Sequence, residues 1–136
     1  MSTLTAIITV LKAWTAINAA VSGRIYGLMD PGAYDKLPCI VLERIGGRSA
    51  LINEKPIHEV IVLFHCLAAT SIAADAVAVV LATQLNGSPS FASGGYRLSE
   101  IIEREGQAPR DVIRQITEAH FVADVQTTYE MTVSAA

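Results

Sequence analysis

The sequence predicts a small α+β domain, a mixed or antiparallel sheet packed with two helices in the order α-β-β-α-β-β. Three observations carry this: an apolar stripe at helical spacing from Leu4 to Val21, an Ala/Val-rich helical segment from Ser71 to Leu85, and strict two-residue alternation from Glu118 to Val133. The 136 residues fit one domain, 1–136, with no internal repeat. They are 51% hydrophobic but only 6% aromatic, so Ala, Val, Ile and Leu must form the core. Such a core suits thin layers of helix on sheet better than a deep aromatic pocket.

The first helix places Leu4, Ile7, Ile8, Leu11, Trp14, Ile17 and Val21 on one face, and Gly23 stands where a left-handed residue would end it. Lys12 interrupts the run and no basic residue precedes it, so it reads as a core helix rather than a signal peptide. With no other apolar run long enough to span a bilayer, the chain is expected to stay in the cytoplasm that made it. Gly23 to Gly27 is a short extended piece, and Asp30-Pro31-Gly32 signals a turn. Leu37 to Ile45 is strand-like, and Gly46-Gly47 is expected to break it before a loop through Lys55-Pro56.

The next strand, His58 to Leu67, is apolar on both rows: Val60, Val62, Phe64 and Cys66 on one, Ile61, Leu63 and Leu67 on the other. That marks a central strand covered on both sides, or covered by a neighbouring subunit. Thr70 or Ser71 is placed to cap the second helix, which Asn86-Gly87 stops. Asp75 is its only charge, which predicts burial nearly all round, either in a tight sandwich or against an oligomer surface. Ser88 to Gly95 reads as a loop, Tyr96 to Glu105 as a strand, and Gly106 to Asp111 as a polar loop. The charge density between Arg97 and Glu118 reads as a solvated hairpin tip or a docking loop. The final strand presents Glu118, Asp124 and Glu130 on its polar row, read as a solvated face.

Catalytic and cofactor signals are missing from this pattern. His58 and His65 fall on opposite faces of one strand, and no motif places a nucleophile or carboxylate beside them or His120. Gly46-Gly47 and Gly94-Gly95 belong to no phosphate-binding loop, and no GxSxG elbow occurs. Cys39 and Cys66 lack metal-ligand spacing and read as reduced, structural thiols, although one disulfide is open to them if the strands pair in register. The net charge of −3, with ten scattered basic residues, argues against sequence-independent nucleic-acid binding. The expectation is therefore a protein that is not an enzyme and needs no cofactor or metal.

The chain resembles the tail terminator proteins of long-tailed phages, also called tail completion or tail-to-head joining proteins. The residues that carry the resemblance are the apolar helix ending in Ser22-Gly23-Arg24-Ile25-Tyr26 and then Leu37-Pro38-Cys39-Ile40-Val41-Leu42. The doubly apolar strand Glu59 to Cys66, the helix Ser71 to Leu85 and the strand Phe121 to Thr132 complete it, so it covers most of the chain. Glu103 to Glu118 departs from the pattern by being longer and more charged.

The resemblance implies a structural role in the virion tail, assembled in the host bacterial cytoplasm. Family members form a homo-hexameric ring on the finished tail tube, end its polymerisation and join the head or neck. The implied partners are the chain itself, the tail tube protein and a head-completion or neck protein, with DNA only in transit and no membrane. Under this reading Glu118, Asp124 and Glu130 are expected on or near the lumen, where an acidic face would repel DNA phosphates. The stretches holding Arg44, Arg48, Glu54 and Lys55, and Glu103, Arg104, Glu105, Arg110 and Asp111, are expected to dock tube or neck. Two alternatives are another head–tail connector or minor tail component, and a small ligand-binding or enzymatic domain using His65 or His120.

Overall fold

A computed structural model describes residues 3–27, 36–52, 55–87, 90–104, 110–117 and 120–135, with side chains for all of these but 49–52, 55–56, 110–117 and 120–121. The N-terminal stripe forms two helices, α1 (Thr3–Ala13) and α2 (Thr15–Val21), whose axes bend by 98°. The expected single helix fails at Trp14, which is extended at φ −80°, ψ 111°. Its N–H closes α1 on the Leu11 carbonyl at 3.1 Å, and its own carbonyl accepts from Asn18 N–H at 2.9 Å to start α2. The Trp14 ring is buried against Phe91 with centroids 4.7 Å apart, so a tertiary contact sets the bend. Ser22 is left-handed at the C-terminus, followed by Gly23 at φ 74°, whose N–H bonds the Asn18 carbonyl at 2.9 Å. Among the described residues no single helix is long and apolar enough to cross a membrane.

Strand β1 (Ile25–Gly27) runs parallel to β2 (Cys39–Ile52), which forms a long antiparallel hairpin with β3 (Lys55–Ala68). Gly46-Gly47 does not end β2. The ladder continues past a bulge between Arg44 and Gly46, and glycine is required because the strands close together there. Gly47 has φ 126°, and a Cβ on it would overlap the Glu59 carbonyl and lie 2.8 Å from Val60 Cα. Helix α3 (Ser71–Gly87) begins where Thr70 Oγ1 accepts the Ala73 N–H at 3.2 Å, as the capping signal predicts.

The expected loop before Tyr96 contains β4 (Ser90–Ser93), joined to β5 (Tyr96–Glu103) by Gly94-Gly95. Both glycines have positive φ, 60° and 85°, as a two-residue hairpin turn demands. The expected polar stretch through Asp111 enters β6 (Arg110–Thr117), which pairs with the long final strand β7 (His120–Ala135).

Among the described residues the architecture is three helices on one seven-stranded sheet, with path β1-β2-β3-β7-β5-β4 and β6 also paired to β7. All three helices pack on one face, over Ile40, Leu42, Val60, Val62, Phe64, Val125, Tyr129 and Met131. The opposite face has a small apolar cluster of Cys39, Val41, Leu67 and Val122 at one end. Strand β3 is central, as its composition predicts, but Ile61 and Leu63 are only half-buried on that opposite face.

Of two burial expectations, that for α3 is met on one side of the helix and that for the polar row of β7 is overturned. Helix α3 buries Ala74, Val77, Ala78, Leu81 and Leu85 yet leaves Ile72 86% and Val79 56% exposed. The polar row of β7 is enclosed rather than solvated at Asp124, Gln126 and Thr128, because β7 lies between β3 on one side and β5 and β6 on the other. Cys39 and Cys66 are free and buried in clusters on opposite faces of the sheet, which rules out a bond between them in this fold.

Candidate functional site

Three neighbouring strands bring together a buried charged triad. In the β2–β3 and β3–β7 registers, Glu43, His65 and Asp124 fall diagonally on the face away from the helices. His65 Nδ1 lies 2.9 Å from Asp124 Oδ2, and Nε2 lies 3.0 Å from Glu43 Oε2. The His65 side chain is 5% exposed, Asp124 is fully enclosed, and Glu43 reaches partly to solvent. Gln126 Nε2 donates to the same Asp124 oxygen at 3.1 Å. A neutral imidazole has one N–H, so only the imidazolium donates to both carboxylates at once. The group is a cross-strand clamp that ties β2, β3 and β7 together. With both ring nitrogens turned to carboxylates, neither is presented to a substrate in this conformation.

Further along the same face, the bulge in β2 and a second irregularity in β5 open a groove of about 440 Å³. It is lined by Arg48, Glu59, Ile61, Glu100, Ile102 and Glu130, among others. Arg48 Nε donates to Glu59 Oε2 at 2.6 Å, which holds the carboxyl of Glu59 below, and the guanidinium of Arg48 above, its ordinary pKa. Both side chains are largely in solvent, so the pair contributes little to stability. Glu100 is left-handed at φ 52° and accepts the Thr132 hydroxyl at 3.2 Å.

The acidic row is divided by the fold. Asp124 is not a surface residue but the enclosed partner of His65, a correction that follows from β7 being central. Glu130 is 45% exposed and accepts from Arg104 Nη1 at 2.7 Å, and Glu118 lies outside the described residues. The expected docking loops are largely strand. Arg44 and Arg48 are exposed on β2, Lys55 opens β3, Glu103 closes β5, and Arg110 and Asp111 open β6. Glu54 and Glu105 lie outside the described residues. The structure brings Arg48 and Glu130 to one groove, and Arg44, at the bulge of β2, is not among its lining residues.

Glu43 stands in no motif of the sequence. Its only signal was a carboxylate in a strand next to one bearing a histidine, and only register tells whether the two share a face. The remaining shifted groups are buried core members. Burial pushes the Cys39 thiol up to about 11 against the opposing Arg24 charge, and pushes Cys66 up as well. Burial likewise raises Tyr129 to about 12, with Glu103 adding to it.

No protein-family model and no curated protein matches the sequence. A chain from a solved structure described as "Virion of native gene transfer agent (GTA) particle" superposes with a TM-score of 0.59 at 17% identity. The superposition covers 98% of this chain and 96% of that one, so the two share their fold end to end.

Proposed function

We propose that this protein is a structural component of a phage-like virion, a ring that caps the finished tail tube, ends its polymerisation and forms the joint to the head or neck. The observation that carries the virion part of the reading is the two-way coverage with the virion chain, since nothing substantial is added or lost on either side. The order of sequence signals, from the helix ending in Arg24-Ile25-Tyr26 to the last strand, supports the same assignment. So does a surface that leaves apolar helix residues uncovered, which suits a subunit of a larger assembly better than a free monomer.

In this reading Glu118 and Glu130 are the acidic residues proposed for the lumen, while Asp124 acts by holding His65. Arg48, Lys55, Glu103, Arg110 and Asp111 are proposed for contacts with tube or neck. The test adds purified protein to elongating tail tubes and follows tube growth by turbidity. Growth that stops at substoichiometric protein supports the cap. Undiminished growth together with binding to a portal assembly would instead identify a head–tail connector.

A further inference from the structure

Helix α3 has two apolar sides and only one of them is used. Its inner side is buried on β3, β5, β7 and α2, while Ile72, Ala76 and Val79 form an exposed stripe at i, i+4, i+7. The only charge on the helix, Asp75, stands within this stripe, one turn from both Ile72 and Val79. A twofold contact of stripe on stripe would set Asp75 against Asp75 with no cation on the helix to offset them.

The complement lies elsewhere on the same chain. Ile45, the extra residue of the β2 bulge, is 47% exposed, and the exposed Arg44 precedes it. Among the described residues Arg44 Nε has one hydrogen bond, a long one of 3.5 Å to the Gly46 carbonyl. Among the described residues neither Arg44 nor Asp75 has an ion-pair partner. One element thus offers an apolar stripe with an anion, and another an apolar knob with a cation.

We propose that the α3 stripe of one copy seats on the β2 bulge of the next, with Ile45 packed between Ile72 and Val79 and Arg44 paired to Asp75. Because the two patches differ, the contact is head-to-tail, and its repetition gives a ring or a filament rather than a closed dimer. The patches themselves do not depend on the tail-cap reading; only the expectation of a closed ring rests on it.

Complementation tests the contact. An Ile72→Asp/Val79→Asp variant lacks the stripe, and an Arg44→Glu/Ile45→Asp variant lacks the knob. Far-UV circular dichroism and urea midpoints check that both fold. In sedimentation velocity each alone is expected to self-associate at least about tenfold more weakly than the unmutated chain. Mixed, they should form one-to-one dimers, because one intact stripe meets one intact knob. The milder Asp75→Arg and Arg44→Asp variants should each weaken assembly, and the double exchange should restore it.

Assembly undiminished in either surface variant, a mixture that stays monomeric, or an unmutated chain that is monomeric at its highest soluble concentration would overturn the proposal. Tube growth separates this outcome from the fate of the capping role. Growth arrested by protein whose assembly ignores these substitutions sinks only the contact, whereas complementation without arrest sinks only the cap.

Discussion

At the scale of single residues, the Glu43–His65–Asp124 clamp concentrates the polar energetics of the fold. Asp124 and His65 are both out of water, so removing one strands a charge on the other. His65→Ala and Asp124→Ala should each lower unfolding free energy by about 3 kcal/mol in urea titrations, and the double variant should cost less than their sum. A loss for each within a few tenths of a kcal/mol, as for a surface substitution, would contradict the clamp. The core thiols and Tyr129 give a pH dependence whose sign follows from burial. Cys39 moves from 9.0 to about 11 and Tyr129 from 10.0 to about 12 on folding. Above pH 9 the unfolded chain therefore releases protons that the folded chain keeps, and stability should fall as pH rises towards 12. The same burial should leave both cysteines unreactive to a thiol reagent at neutral pH until urea opens the core.

At the scale of elements, the legible features were those set by local chemistry. Thr70 caps α3, the apolar rows of β3 mark a central strand, and Arg24-Ile25-Tyr26 leads into an extended piece. Features set by long-range contact were not legible. The stripe from Leu4 to Val21 keeps its helical spacing straight through the bend, because Trp14 is apolar in either geometry and its Phe91 contact is 77 residues away. Gly46-Gly47 reads as a break by composition, yet the approach of Glu59 makes it a bulge within a continuous ladder. That difference is testable. Gly47→Ala must fit a Cβ against backbone at positive φ and should cost about 2 kcal/mol or more. Gly46→Ala meets only the flexible end of Ile61, 3.2 Å away, and should cost clearly less in the same urea titration. The clamp itself was hidden for a related reason: alternation shows that Asp124 shares a row with Glu130, but only register shows that His65 reaches it.

At the scale of the whole molecule, one helix-covered sheet face contrasts with a second face that is half apolar, half charged and grooved. With Ile72 and Val79 also in solvent, the chain has more apolar surface than its own core absorbs. Under the proposed role as a virion subunit, that surplus is the surface left for assembly. The most direct test is electron microscopy of tail tubes assembled with and without the protein, with end-on views averaged. A sixfold ring of added density at one end of each tube, present only when the protein is added, is the predicted result. Bare tube ends, or protein bound along the tube wall instead of its end, would contradict the account.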